Sequence, residues 1–385
     1  MVRFFILHTM KCFTVNLLYL VSALAITAGF SACSRASHTS VTDTQGDTLT
    51  HYASALTMVE YPEYVVAEVA VPWHDGALAR YAVPKTAGAK LPEGFTAIIP
   101  DDDGIVSFSS VYSNALVEFG AIDRLQAVAD PAYLPLGDTV RALVAAGRVE
   151  DAGSSMAPLL EKIIDAEPSL VFASPYETGG AVAALQRAGL PVVLMADYVE
   201  TDPRGRAEWM RLIGLVTGHR QVADSLASQS IDRYNRLAQL VTTTNDRPKV
   251  ITEKPMQGVW YVPGGRSYVA HLIADAGGEY VWAEDSAVAS VPMSLENVLE
   301  RGGDAPVWLI KDADEIDVKS LTAQVPQARA FKAMPDGVWT CNTMTTPYFD
   351  DIALHPDRVL EDYIVIFHPS LAGDSLSLRY YSKIK

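Results

Sequence analysis

The chain is short of cysteine, of histidine and of positive charge. Three cysteines occur in 385 residues (Cys12, Cys33 and Cys341), and no Cys-x-x-Cys pair exists. That excludes a disulfide framework and a thiolate-based structural zinc site. Lys and Arg number 30 against 46 Asp and Glu, a formal charge of −16, and no run of cations forms a basic patch. Nucleic acid is therefore excluded as a partner. Beyond residue 60 only His74, His219, His271, His355 and His368 remain, in proline contexts or helical patterns. A carrier of bare Zn²⁺ or Mn²⁺ needs three or four converging His and carboxylate ligands, so no metal centre is expected. His271 and His368 read as structural. The acidic runs Asp101-Asp102-Asp103-Gly104 and Asp312 to Asp317 lack the spacing and closing bidentate Glu of a calcium loop, and read as solvated turns. Gly373-Asp374-Ser375-Leu376 has an esterase-like look, but no histidine follows it to act as base. No catalytic residue is assigned.

What is present is ordinary globular composition, 49% hydrophobic and 20% charged, which argues against a mostly disordered chain. Its start is unusual. Arg3 and Lys11 precede an apolar run from Asn16 to Phe30, Ser31-Ala32-Cys33 follows, and no acid occurs before Asp43. A positive segment, an apolar core and small residues at a cut site make residues 1–32 a signal peptide. The core falls short of the about 20 residues that span a bilayer. Cysteine directly after small residues resembles a bacterial lipoprotein signal, which implies that Cys33 is lipidated; simple secretion is the alternative. Cleavage removes two cations and no acid, taking the charge from −16 to −18. Several acyl chains on one residue, at about 0.8 kcal/mol per buried CH₂, hold a soluble domain at a membrane it does not cross. The expected location is the periplasm or cell envelope. Residues 33–60, rich in Ser, Thr, Ala and Asp, read as a flexible tether.

Further on, short β-branched runs alternate with helical patterns, which indicates α/β architecture with mostly parallel sheets. Strand-like runs at Ile105–Phe108, Leu170–Ala173 and Val192–Met195 alternate with helices at Ser110–Phe119, Pro158–Ala166 and Gly180–Ala188. From Arg206 the period becomes helical throughout. The second of two helices, His219 to Val241, contains no Gly or Pro and would run on the order of 34 Å at 1.5 Å per residue. After Pro248 the α/β alternation resumes. The organisation is an N-terminal lobe over 61–200 with an extra segment at 61–94, connecting helices over 203–242 including a backbone helix at 219–241, and a C-terminal lobe over 248–385.

That layout resembles the solute-binding proteins of ABC importers, in the helical-backbone subclass that serves ferric siderophores, haem, cobalamin and some bare metal ions. The resemblance covers roughly 96–370. It is carried by Ile105-Val-Ser-Phe-Ser-Ser-Val-Tyr-Ser-Asn-Ala-Leu-Val-Glu-Phe-Gly120 and by Val149 to Pro168 running into Leu170-Val-Phe-Ala-Ser174. Tyr261-Val-Pro-Gly-Gly-Arg-Ser267, Ala276-Gly-Gly-Glu279 and Met293-Ser-Leu-Glu-Asn-Val-Leu299 carry it in the second half. Two departures stand out: the family's proline and Thr-Glu pair are missing from the serine-rich turn, and the 61–94 segment is additional. The implied fold is two α/β lobes joined by one long α-helix, class III periplasmic-binding-protein-like. The implied function is capture of an iron or cobalt chelate and delivery to a permease and its ATPase, with no resident cofactor and only small lobe motion. A two-lobed metal chelatase-like enzyme is the alternative of a different class, since it would bind similar macrocycles but needs a histidine or acid in the cleft, and a solute-binding protein for bare Zn²⁺ or Mn²⁺ is the other alternative.

A carrier needs a concave site with a few placed polar groups, supplied by loops at the carboxyl ends of parallel strands. Candidates in the first lobe are Ser109, Ser110, Tyr112, Tyr133, Ser155, Tyr176 and Tyr198; in the second, Trp260, Tyr261, Arg266 and Trp282. Aromatic faces suit a corrin, porphyrin or catecholate, and Arg266 could fork onto a carboxylate or phosphate. The resemblance further implies that one surface glutamate per lobe docks on permease arginines: Glu161 in Leu-Leu-Glu-Lys-Ile and Glu296 in Ser-Leu-Glu-Asn-Val.

Overall fold

The computed structural model describes residues 46–385 apart from 73–75, 102, 136 and 176–179. The signal peptide, Cys33 and Tyr176 lie outside the described residues. The described chain opens with a sheet of five strands paired in chain order: β1 (Asp47–Thr48), β2 (Leu56–Glu60), β3 (Tyr64–Ala70), β4 (Leu78–Pro84) and β5 (Thr96–Ala97). The tether expected over 33–60 is thus corrected in its second half. Leu56 and Met58 alternate inward, as a strand with one buried face requires, and Thr50 accepts from the Met58 N–H.

Two buried carboxylates from far along the chain fix the loop between β1 and β2. Glu208 accepts from the N–H groups of His51, Tyr52 and Ala53 at 2.8–2.9 Å. Glu200 accepts from the N–H groups of Ser54 and Ala55, from the Ser54 hydroxyl and from the Trp209 indole. Charge-assisted bonds of this kind offset the desolvation of a buried carboxylate. The loop lies so close that a Cβ at Gly205 would meet the Tyr52 carbonyl oxygen at 2.7 Å.

The first lobe comprises β6 (Ile105–Ser107), α1 (Ser110–Phe119), β7 (Leu125–Val128), α2 (Thr139–Ala145) and β8 (Glu150–Asp151). There follow the small ribbon β9 (Gly153–Ser154) and β10 (Ala157–Pro158), then α3 (Leu160–Asp165), β11 (Leu170–Ala173), α4 (Gly180–Arg187) and β12 (Val192–Leu194). Its sheet runs β12-β11-β6-β7-β8, every pair parallel. Helix α1 starts where the Ser109 hydroxyl accepts from the Val111 N–H and ends at Gly120, at φ 75°. Only a residue without a Cβ takes that conformation at little cost. The opening sheet closes the β12 edge: the Leu194 N–H donates to the Tyr81 hydroxyl at 2.8 Å.

Helices α5 (Pro203–Val216) and α6 (Arg220–Leu240) follow. The 21 residues of α6 make a rod of about 31 Å. Its Ala223 and Ala227 pack in the first lobe's core with α5, whereas Tyr234 and Leu237 pack in the second lobe's core. One helix therefore belongs to two cores.

The second lobe contains β13 (Lys249–Thr252), β14 (Trp260–Pro263), α7 (Tyr268–Asp275), β15 (Glu279–Tyr280), β16 (Ser290–Met293) and α8 (Leu295–Gly302). Next come β17 (Val307–Asp312), α9 (Val318–Gln324), β18 (Val338–Asn342), α10 (Tyr348–Leu354), α11 (Pro356–Phe367), α12 (Pro369–Ala372) and β19 (Ser382–Lys383). Its sheet runs β15-β13-β17-β18-β19, parallel except for the last strand. Strands β14 and β16 form a separate antiparallel pair. Helix α11 docks back on α6 through Arg233, which donates to Asp357 at 3.1 Å and to Glu361 at 2.7 Å. The lobes are thus braced by α10 and α11 as well as by α6.

Candidate functional site

In a doubly wound sheet the crevice lies at the carboxyl ends of the two neighbouring strands whose crossovers leave in opposite directions. In the first lobe those strands are β6 and β11; in the second, β13 and β17. A cavity lies at each point. The first, about 310 Å³, is lined by residues that include Ser109, Ser110, Tyr112, Tyr133, Ser155 and Tyr198. The second, about 290 Å³, is lined by Glu253, Lys254, Met256, Tyr261, Pro263, Ser290, Lys311 and Asp312.

The floor of the first cavity is a chain of polar contacts. The Tyr112 hydroxyl donates to Asp197 at 2.7 Å, and Arg206 donates to the same carboxylate at 3.1 and 3.2 Å. Arg206 also lies 5.3 Å over the Tyr268 ring of α7, which ties this floor to the second lobe. Burial, then the charge of Asp197, hold the Tyr112 phenol well above its usual range, so it remains a donor. The Ser110 hydroxyl is bonded to Asp350 of α10. Asp130 accepts from the Ser155 N–H at 2.9 Å. Tyr133 stands out at the rim, 78% exposed.

Sequence reasoning placed four groups in the second lobe's site, and the structure separates them. Tyr261 lines the cavity and is 44% exposed. Trp260, its neighbour, points the other way, as alternation along β14 demands. It is buried, donates to the Thr252 carbonyl and stacks on Trp308 at 5.5 Å. Trp282 is fully buried against Tyr280. Both tryptophans are core, a correction with one physical cause: nearness to a strand end does not say which face a side chain takes. Arg266 is exposed in the turn before α7 and lines neither cavity.

One contributor was missed. The Lys311 ammonium lies 5.8 Å from the Tyr348 ring, and Asp350 receives the Ser110 hydroxyl, so the first turn of α10 meets one lining residue of each cavity while lining neither. Between these residues in the chain Phe349 is 55% exposed.

Residues 105–335 match the family model described as periplasmic binding protein. The chain belongs to that family. Two uncharacterized lipoproteins of Methanocaldococcus jannaschii are each 28% identical to it, over 59% and 62% of this chain. The chain spans only 54% and 62% of those relatives' own length. Among solved structures, a periplasmic binding protein from Veillonella parvula aligns at TM-score 0.60 and 14% identity, covering 80% of this chain and 98% of that one. A periplasmic heme binding protein from Pseudomonas aeruginosa aligns at 0.58 and 18%, covering 74% and 98%. A periplasmic vitamin B12 binding protein of Vibrio cholerae aligns at 0.52 and 17%, covering 70% and 98%. Likeness at these identities concerns the fold: two α/β lobes on a long helix.

In this periplasmic binding protein Glu161 and Glu296 are both exposed, each in the first turn of a short helix, α3 and α8. Among the described residues one histidine–carboxylate group gathers, Glu118, Asp351 and His355. The His355 Nε2 lies 2.7 Å from Glu118, while Arg358 donates to Asp351 at 2.9 Å and lies 3.8 Å from Glu118. Burial alone would raise the Glu118 carboxyl; the His355 hydrogen bond and the nearby positive charges outweigh it and hold it low. A guanidinium already answers these carboxylates, so the cluster acts as a tie between α1 and the α10–α11 corner rather than as a cation site.

Proposed function

We propose that the protein is the lipid-anchored solute-binding component of an ABC importer. In this reading it takes an iron or cobalt chelate (a ferric siderophore, haem or a cobalamin) between its lobes and hands it to the permease and its ATPase. The observation that carries the reading is the pair of cavities at the two crevice positions, each with one lining residue in contact with the first turn of α10. Each is at the lower limit of a small-molecule site, about 300 Å³, so a bulky guest would occupy both. Tyr133, Phe349 and Tyr261 then offer three aromatic faces to a flat or lobed chelate, and the hydroxyls of the first lobe offer hydrogen bonds to its rim. The lipoprotein relatives and the Cys33 context support the anchor; exposed Glu161 and Glu296 are the proposed contacts to the permease.

The test is a tryptophan-fluorescence titration of the mature chain with ferric siderophores, haem and cobalamin. Trp308 donates to the carbonyl of Glu253, a cavity residue, so a coloured guest bound there should quench emission saturably. Absence of any saturable response across the set would reject the chelate reading.

A further inference from the structure

The charges around the two cavities are matched in a particular way. In the second, Lys311 is paired with Glu253, and Lys254 with Asp312 at 2.7 Å. In the first, the lining cation Arg206 donates two N–H groups to one oxygen of buried Asp197. Every described cation lining either cavity is therefore already answered by a carboxylate. The converse does not hold. Asp130 lines the first cavity with a backbone N–H as its partner, and no ion pair involves it among the described residues. Asp350 stands behind Ser110 and near Asp138, again with no cation on its own carboxylate.

A guest bearing several negative charges would meet no unpaired partner in these walls. To gain one it would have to break an existing pair and strand a carboxylate, and removing one member of a partly buried pair is costly. A neutral guest meets hydroxyls and aromatic faces; a cationic guest gains Asp130. The overall charge of −16 adds long-range repulsion of anions in the same direction.

We infer that the cleft selects metal chelates of zero or positive net charge and rejects polyanionic ones. This rests on the carrier reading above and narrows it. The propionate carboxylates of haem and the net negative charge of a ferric complex with three catecholates make those the disfavoured guests, whereas ferric trihydroxamates and cobalamins fit.

The experiment measures affinity of the mature chain for four probes: a cationic ferric trihydroxamate, an uncharged cobalamin, a trianionic ferric tricatecholate, and haem with its propionates. The expected result is saturable binding of the trihydroxamate, the cobalamin or both, at least about tenfold tighter than either anion, the scale of one modest electrostatic contact. Asp130→Asn should weaken the trihydroxamate several-fold more than it weakens cobalamin, since only the cationic guest loses a charge partner. Asp130→Lys should admit the tricatecholate, a gain that a misfolded variant would not show. Tighter binding of an anionic probe by the wild-type chain would overturn the charge rule and leave the carrier reading standing. Silence with all four would remove the carrier reading and the rule with it.

Discussion

The two lobes are alike in plan and unlike in chemistry. Each has a wound parallel sheet, a cavity where its crossovers diverge, and an exposed glutamate opening a short helix. Yet the first cavity is rich in hydroxyls around one deep ion pair, whereas the second is framed by two lysine–carboxylate pairs with Tyr261 and Met256 exposed beside them. Hydroxyls can donate or accept according to the guest; matched ion pairs present fixed dipoles and little spare valence. On the carrier reading proposed above, the difference divides the labour: the first lobe offers adaptable hydrogen bonds, and the second an already neutralised wall.

The strongest way to test the shared plan is to reverse both glutamates. Glu161→Lys with Glu296→Lys should abolish uptake in cells while ligand affinity in solution is unchanged, because both side chains are exposed and line neither cavity. Preserved uptake in the double variant would remove these residues from the docking surface.

Next in size is a comparison within one strand. Trp260→Ala should lower unfolding free energy by about 3–5 kcal/mol, since it opens a hole beside Trp308 and Phe331. Tyr261→Ala should leave stability within about 0.5 kcal/mol and weaken guest binding instead. Urea unfolding and titration of both variants read this directly. An affinity loss confined to Trp260→Ala would place the tryptophan in the cleft after all.

These neighbours also show what the sequence could and could not convey. In the first lobe β6, α1, α3, β11, α4 and β12, together with the glycine stop at Gly120 and the long rod α6, follow from β-branched runs, helical periods and αL glycines, all of which are local signals; β7 and α2 between them, and β18 and α10 in the second lobe, were not read. Ser109, Ser110, Tyr112, Tyr133, Ser155 and Tyr198 line one cavity because the crevice rule needs only the ends of strands. Orientation needs more, and Trp260 and Trp282 were misplaced for that reason. Phe349 escaped notice because β18, the strand whose following loop leads to it, has a weak pattern: Val-Trp-Thr-Cys-Asn. With β18 located, the same rule would have led through residues 343–347 to α10. The fixed loop at 51–55 was illegible in principle, since its order depends on carboxylates about 150 residues away.

That loop supplies the third test, which concerns the one feature the second lobe lacks. Glu208→Ala leaves three N–H groups without their charged acceptor, and a loss of about 3 kcal/mol is expected from unsatisfied donors and the lost charge-assisted bonds. Limited proteolysis should then cut within 47–60, and thermal unfolding should shift down. An unchanged melting temperature would mean that the opening sheet adheres through its apolar face alone, through Leu56, Met58 and Val69.

The smallest expected effect lies where the lobes meet. Burial pushes the Asp350 carboxyl from its ordinary 3.8 up to about 6; the Ser110 and Asn114 hydrogen bonds oppose this, and the charges of Asp138 and Asp351 add to it. A carboxyl raised on folding contributes its stability fully below about pH 4 and loses it as pH climbs through about 6. Asp350→Asn removes that loss, so the variant should gain on the wild type by about 1–2 kcal/mol between pH 4 and pH 7, read by denaturant unfolding at each pH. The sign follows from the geometry: a carboxyl enclosed between α10 and Ser110 without its own cation is costly to ionise, and a positively charged guest in the first cavity would lower that cost. Affinity for such a guest should therefore rise in the wild type as pH passes upward through about 6 and stay level in Asp350→Asn. Identical pH profiles for the two proteins would show that Asp350 does not feel the cavity, and would confine the first lobe's recognition to Asp130 and the hydroxyls.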